Sequence, residues 1–285
     1  MKKINYHGIE LLPIKSDIVF KVIFGKPENK DILAKFLSAV LELDIESPEY
    51  MELTNTELFP EFEDDKLSRF DLRAKLHDGT QVEIEIQLQN NDDMIARGLY
   101  YQAKLFQNQA RKGIRYKHLS KAITLNILDY NLLEEKAYLN RFRYMNVNTG
   151  KQLSELCEIN FLELEKVPSK WYNEKEMWAM FLATENEKVI DMLSKENKDI
   201  EKAVEKLKYV SADEIERYRI DQIEKARMDY QSQMQGNYDR GHEEGMEFGA
   251  RKKAVEIAMG LLDDFDDERI SKITGLTKKE IGELR

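Results

Sequence analysis

The chain divides into stretches of helical and of strand-like hydrophobic spacing. Residues 69–76 and 81–88 alternate apolar and polar positions with a period of two around His77-Asp78-Gly79, which predicts a β-hairpin. Over 17–43 the apolar residues recur at helical spacing instead, which predicts a helix. Its apolar stripe consists of Ile32, Leu33, Phe36, Leu37, Val40 and Leu41. The same reasoning predicts a strand within 50–59, a helix over 93–112, a buried strand over 122–128, and two more strands within 140–147 and 158–164.

The pattern changes after Pro168, where strand-like spacing stops and helical spacing continues to Arg285. We therefore expect an α/β core over 1–168 (helix, three strands, helix, strand) and an all-helical region over 169–285. A Gly/Glu-rich segment lies near 236–250, where Gly241, Gly245 and Gly249 recur every four residues. Glycine is unfavourable inside a helix, so this seam predicts either close approach of another helix or a weakly stable linker. A homodimer through the C-terminal helices is the corresponding expectation.

Composition narrows the class of protein. Hydrophobic residues make up 42% of the chain and charged residues 34%, which favours a folded protein with long solvated helices. Cys157 is the only cysteine, and neither a signal peptide nor a membrane-spanning run is evident, so a cytoplasmic protein is expected. The net charge of −10 argues weakly against nucleic acid as a partner. Most of the acidic excess follows residue 170, however, so the first part could carry a local basic face.

The register of the predicted hairpin can be argued from its turn. Gly79 suits the left-handed position that ends a three-residue hairpin loop, which sets Leu76 opposite Thr80. Counting outward, one face is apolar throughout. Its pairs are Phe70 with Ile86, Leu72 with Ile84, and Ala74 with Val82. A slip by one residue would place the apolar residues of the two strands on different faces, so this register is well specified.

The second face of the hairpin pairs Arg73 with Glu83 and Asp71 with Glu85. Two carboxylates directly opposite each other repel. A hard divalent cation with oxygen ligands would relieve the repulsion, and Gln87, next on the same face, adds an amide oxygen. The alternative is a solvated sheet face on which the repulsion is tolerated.

Several segments resemble the recombination-promoting nuclease/putative transposase family of the PD-(D/E)XK nuclease superfamily. The most specific are 57–63, 66–75 and 83–89, which span the hairpin. Residues 17–25 are similar to the family's opening segment, and residues 92–101 to the helix that follows the hairpin. The likeness extends into the helical tail, where it is less specific.

This resemblance implies a restriction-endonuclease-like core and metal-assisted hydrolysis of phosphodiester bonds in DNA. Asp71 would be the motif aspartate, Glu85 the second acid and Gln87 the third position, where many members of the superfamily carry lysine. The implied cofactor is Mg²⁺, with Mn²⁺ as a substitute, because Mg²⁺ binds through one or two carboxylates plus water and phosphate. A role in recombination, mobile elements or defence is also implied.

Three further residues could support the site. Arg97 and Lys104 lie with Tyr101 on one face of the predicted helix, so either cation could supply the charge that Gln87 lacks; a solvated helix face is the alternative. Asp17 could be a further acid near the metal, since the first helix of this superfamily often packs beside the site. Otherwise Asp17 is an ordinary acidic residue at a helix N-terminus.

A basic cluster follows the predicted helix and would bind the DNA backbone. It consists of Arg111, Lys112, Arg115, Lys117 and Lys121, with Tyr116 and His118. Ordinary basic residues at a helix C-terminus are the alternative. The four histidines show no metal-ligand spacing with one another or with Cys157, which disfavours zinc. Two rival functions stay open: a catalytically inactive relative that binds nucleic acid, and a helical interaction protein with a structural hairpin.

Overall fold

The computed structural model describes residues 4–46, 48–54, 72–90, 92–110 and 115–285. The strands are β1 (Ile4–Tyr6), β2 (Ile9–Leu11), β3 (Glu52–Thr54), β4 (Leu72–Lys75), β5 (Gln81–Gln87), β6 (Ala122–Leu128), β7 (Leu139–Arg143) and β8 (Cys157–Glu163). The helices are α1 (Asp17–Phe24), α2 (Lys30–Leu41), α3 (Met94–Gln107), α4 (Glu174–Ala183), α5 (Glu187–Glu196), α6 (Lys198–Ala212), α7 (Glu214–Leu261), α8 (Asp267–Thr274) and α9 (Lys278–Gly282). The predicted α/β fold class is confirmed at this level.

A six-stranded mixed sheet forms the centre of the fold, with strand order β3-β4-β5-β6-β8-β7. The middle strands β5, β6 and β8 run parallel, whereas β3, β4 and β7 are antiparallel to their neighbours. Parallel neighbours need a crossover connection, and α3 supplies it between β5 and β6. The fully buried strand β6 has a continuous apolar run except at Thr124 and Asn126. β1 and β2 form a separate two-stranded sheet that the hydrophobic pattern did not predict.

The two faces of the sheet have different neighbours. Helix α3 covers one face so closely that a Cβ at Gly98 would lie 3.3 Å from Phe161 Cζ and 3.5 Å from Asn126 Nδ2. On the opposite face, a Cβ at Gly25 after α1 would lie 3.2 Å from Leu72 Cδ1. Because paired residues of neighbouring strands point the same way, Glu85, Asn126 and Phe161 share the α3 face.

The predicted single helix over 17–43 is wrong in one respect, since the segment forms two helices. α1 ends at Phe24, a 3₁₀ turn spans Pro27–Asn29, and α2 then begins at Lys30. Pro27 lacks an amide hydrogen and disfavours helical geometry at the residue before it, so it interrupts the helix despite the favourable apolar spacing. The short α1 is nonetheless buried on nearly every side, including Lys21, which is 2% exposed.

Helix α3 is shorter than the predicted 93–112, because it ends at Gln107. Beyond that point the Gln109 side chain bonds the backbone of Ser120 twice, through Nε2 to the carbonyl oxygen at 3.1 Å and through Oε1 from the amide at 2.8 Å. These long-range bonds compete with continuation of the helix and are not visible in local spacing.

The helices that follow the sheet pack against the first two helices, α1 and α2. Trp178 of α4 lies against Phe24 of α1 and Phe36 of α2, with ring centroids 6.1 and 5.7 Å apart. Strands end at Glu163, near the predicted change of pattern at 168–170, but the compact unit continues to Asp221. Helices α4 to α6 therefore belong to the same compact unit as the sheet.

A second compact unit comprises Gln222–Arg285. Its buried cluster joins Ala258 of α7 to Ile270, Leu276 and Ile281 of the α8–α9 segment. The seam glycines Gly241, Gly245 and Gly249 of α7 have no atom of the described chain within 4 Å of an added Cβ, so no helix of the described residues packs on them. None of the helices in the described ranges combines the length and the apolar character needed to cross a bilayer.

Candidate metal centre

The hairpin register is confirmed over the described pairs. Leu72 pairs with Ile84, Arg73 with Glu83, and Ala74 with Val82. The turn is closed by a 2.8 Å bond from the Leu76 amide to the Thr80 carbonyl, and Gly79 has a φ of +87°. Asp71 lies outside the described residues. Continuing the register by one pair predicts that it stands opposite Glu85.

Glu85 lies on this face in a buried environment. Its side chain is buried, with the residue only 5% exposed. Two donors converge on Oε1: Gln87 Nε2 at 2.6 Å and the guanidinium of Arg97. The other oxygen, Oε2, is equally buried but has no hydrogen-bond partner among the described residues. A buried carboxylate oxygen without a partner is costly, and its lone pairs can accept an additional positive ligand.

Burial raises the pKa of the Glu85 carboxyl above its usual value, although the charge of Arg97 and the hydrogen bonds from Arg97 and Gln87 oppose the shift. The physical cause is desolvation, which penalises the ionised form. A second cation placed at Oε2 would favour ionisation and reverse this effect. The ionised form of Glu85 would therefore be stabilised by a cation bound at Oε2.

Of the two cations proposed from the sequence, Arg97 rather than Lys104 contacts Glu85 within the described part of the chain. The Arg97 guanidinium carbon lies 5.5 Å from the centre of the Tyr101 ring, so the predicted helix face that carries both residues does turn toward the sheet. Lys104 is half-buried on α3 about 10 Å further along the helix axis. Its catalytic role stays a prediction.

Asp17 occupies the first turn of α1, and this helix packs against β5. Its role as a metal ligand stays a prediction as well. Within the described ranges, which omit Asp71, no group of three or more His, Cys, Asp or Glu side chains is placed to hold a metal. A metal centre on this face would thus depend on Asp71 together with Glu85.

The residues present fit a hard divalent cation. Glu85 Oε2, which has no partner in the described ranges, would supply one carboxylate oxygen, and the predicted neighbour Asp71 would supply another. With its Nε2 bound to Glu85, Gln87 can offer only its amide oxygen as a ligand. An all-oxygen set of one or two carboxylates suits Mg²⁺ or Mn²⁺ and does not suit zinc.

A second buried carboxylate, Glu83, precedes Glu85 by two residues on the same face of β5. Glu83 is 2% exposed and forms a 2.8 Å ion pair with Arg73, while its Oε2 lacks a partner among the described residues. The predicted Arg73–Glu83 pair is confirmed. Because Arg73 neutralises Glu83, the negative charge of Glu83 repels the neighbouring Glu85 carboxylate less.

Sequence reasoning missed the residues that β6 brings to this end of the sheet. The pKa of Tyr130 is raised to about 12, first by burial and next by the charge of Glu85, which places its hydroxyl in the field of the site. The Asp129 amide donates to the Gln87 carbonyl oxygen at 3.0 Å, and the Asp129 carboxylate binds Lys15 at 2.8 Å. The available signal was the β5–α3–β6 crossover, which aligns the carboxyl ends of both strands.

The residues predicted to bind nucleic acid do not form one cluster among the described residues. Arg111 and Lys112 lie outside the described residues. Arg115 and Lys117 are exposed, at a 3₁₀ turn that spans Tyr116–His118. Lys121 instead forms a 3.2 Å ion pair with Glu158, which pairs with Ile123 and therefore lies on the α1 face of the sheet. Because Lys121 neutralises a carboxylate that is 1% exposed, it has a structural partner.

Gly98 sets the distance between α3 and the sheet. We predict that Gly98→Val lowers the free energy of unfolding by about 1–3 kcal/mol, because its added atoms would meet Phe161 and Asn126. The same change should loosen Arg97 from Glu85. Urea denaturation measures the loss, with Gly245→Val as control, since a Cβ there meets no atom within 4 Å. Equal stability of the two variants would contradict the close packing of α3.

Comparison with known proteins identifies the family of this chain. A family model described as PD-(D/E)XK nuclease family transposase matches residues 14–237, which include both strands of the hairpin, helix α3 and the remaining strands of the sheet. Searches among curated proteins and among solved structures found no match. The match extends over well more than half of the chain and confirms the resemblance seen in the sequence, so the chain belongs to the PD-(D/E)XK nuclease family transposases.

Proposed function

We propose that the chain is a Mg²⁺-dependent DNA endonuclease whose metal centre is formed by Asp71 and Glu85. The observation that carries the proposal is the Glu85 carboxylate: one oxygen is held by two donors, and the other is buried without a partner in the described chain. Family membership supports nuclease chemistry, and the all-oxygen ligand set supports Mg²⁺, with Mn²⁺ as a substitute.

In this proposal the residues around Glu85 position one ligand oxygen. Arg97 and Gln87 fix the rotation of the carboxylate by binding Oε1, which would leave Oε2 to bind the metal. A bound divalent cation would polarise the phosphoryl oxygen and lower the pKa of an attacking water. Arg97 keeps a side chain that is 33% exposed and can supply the positive charge that Gln87 cannot.

The experiment is plasmid cleavage by the purified chain with Mg²⁺ and with EDTA, for the wild type and for Asp71→Ala. We expect cleavage by the wild type alone, and its loss in EDTA. DNA binding without cleavage in any divalent metal would instead support a catalytically inactive relative. Neither binding nor cleavage would favour a helical interaction protein in which the hairpin is structural.

We also propose that the C-terminal unit assembles the protein. The glycine seam of α7 is flanked by exposed Tyr238 and Phe248, and self-association would cover this surface. Truncation after residue 235 should leave the sheet folded and responsive to metal while shifting the protein toward monomer. Light scattering on the full-length and truncated chains tests this, and equal subunit numbers in both would contradict it.

A further inference from the structure

A groove of about 540 Å³ lies on the same side of the sheet as Glu85. Its floor consists of the α3-face side chains of three adjacent strands: Glu52 and Thr54 of β3, Arg73 and Lys75 of β4, and Gln81 of β5. Its wall is formed at the end of α3 and the segment that follows, by Leu105, Asn108, Gln109, His118 and Ser120. The two Gln109–Ser120 bonds hold this wall together, so the groove is built before any ligand arrives.

The groove continues the row of side chains that contains the metal centre. Gln81, Glu83 and Glu85 alternate along β5 on the same face. Glu85 lies four residue steps along the strand from Gln81, which corresponds to about 13 Å. Successive phosphates of one DNA strand advance ~3.4 Å along a duplex axis, so a strand cut at Glu85 would present a phosphate to the groove within about four nucleotides of the cut.

The chemistry of the lining suits a phosphodiester backbone. Amide and hydroxyl groups dominate it, with two cations, Arg73 and Lys75, and one anion, Glu52. Arg73 is committed to the buried Glu83, whereas Lys75 is 48% exposed and meets only the 65% exposed Glu52 in the described chain, at 3.2 Å. Exposed pairs of this kind are weak, so Lys75 can exchange the carboxylate for a phosphate at little cost. Arg115 and Lys117 precede the lining residue His118 in the same short 3₁₀ segment and are exposed.

We propose that this groove is a backbone subsite that binds a DNA phosphate beside the scissile one, with Lys75 as the phosphate contact and Glu52 as its exchangeable partner. The inference rests on the proposed DNA endonuclease function and specifies where the strand runs. The inference predicts that substitutions of Lys75 and of Glu52 change the affinity for DNA in opposite directions. If the pair were purely structural, substitution of either residue would destabilise the protein, and both would change the affinity in the same direction.

The experiment measures the affinity of the full chain for a short labelled DNA duplex in EDTA over a series of salt concentrations. Lys75→Gln should weaken binding about fivefold near 0.1 M salt and reduce the slope of log K against log salt by about 0.9, the value for one lost phosphate contact. Glu52→Gln should tighten binding. The matched pair Lys202 and Asp31, similarly exposed and 3.0 Å apart, is the control, and Lys202→Gln and Asp31→Asn should leave affinity unchanged.

Effects of the same sign for Lys75→Gln and Glu52→Gln, or effects equal to those of the controls, would overturn the groove assignment. A plasmid-cleavage assay on the wild type tests the proposed nuclease function independently of the groove. Cleavage that depends on Mg²⁺, with unaltered affinity in the groove variants, would refute the subsite alone. Duplex binding that responds to both substitutions without any cleavage would support the subsite and refute the nuclease proposal.

Discussion

Glu85→Gln is expected to reduce Mg²⁺-dependent cleavage by at least ~10³-fold, since metal-ion catalysis supplies several kcal/mol of transition-state stabilisation. The substitution keeps the shape of the side chain but removes the charge that would hold the cation at Oε2. Single-turnover cleavage of plasmid DNA measures the effect, with the amount of folded enzyme set by circular dichroism.

Glu158→Gln is the matched control for burial. Glu158 is 1% exposed, is bound by Arg143 at 2.6 Å and by Lys121, and lies on the other face of the same sheet. Breaking this pair should lower the free energy of unfolding by about 2–4 kcal/mol, yet cleavage per folded molecule should change only a few-fold. Similar activity losses in both variants would show that Glu85 acts through stability and not through the metal.

Arg97→Met is expected to lower the free energy of unfolding by about 1–3 kcal/mol at neutral pH in EDTA, because it leaves the Glu85 carboxylate buried without its cation. Arg97→Lys, which keeps the charge, should lose less. Urea denaturation measures both. An unchanged stability of Arg97→Met would contradict the assigned ion pair.

The pH dependence of this loss has a definite sign. Burial already raises the pKa of Glu85, so its ionised form costs stability above the folded pKa, and the cost disappears as the pH falls below the unfolded value. Removing Arg97 raises this pKa further. The deficit of Arg97→Met should therefore be present at neutral pH and shrink in acid, while the pH below which Mg²⁺ no longer binds should move upward. A deficit that is constant with pH would indicate lost packing instead.

The hairpin could be predicted from sequence because its information is local. The alternation of Leu72, Ala74, Val82 and Ile84 fixes which face is buried, and Gly79 fixes the turn, so the pairing followed from spacing alone. The same spacing predicted that Arg73 and Glu83 would meet. The lengths of the first helix and of α3 were less accurate, since Pro27 and the Gln109–Ser120 bonds override apolar periodicity.

The rest of the candidate site depends on contacts between distant segments. Tyr130 and Asp129 reach the site only because β6 runs parallel beside β5, and Lys15 reaches Asp129 from 114 residues away. The choice of Arg97 over Lys104 as the partner of Glu85 depends on how α3 is rotated on the sheet, which Gly98 and Phe161 determine. Such packing is set by three-dimensional complementarity and leaves no periodic signal in one sequence.

Titration calorimetry of Mn²⁺ into the wild type, Asp71→Asn and Glu85→Gln tests the metal centre most directly, because it requires neither DNA nor turnover. The central claim is that Asp71 and Glu85 Oε2, which has no partner among the described residues, hold one divalent cation together. We expect the wild type to bind Mn²⁺ and each variant to lose that binding, with Glu158→Gln still binding. Undiminished Mn²⁺ binding in Asp71→Asn and Glu85→Gln would contradict the claim.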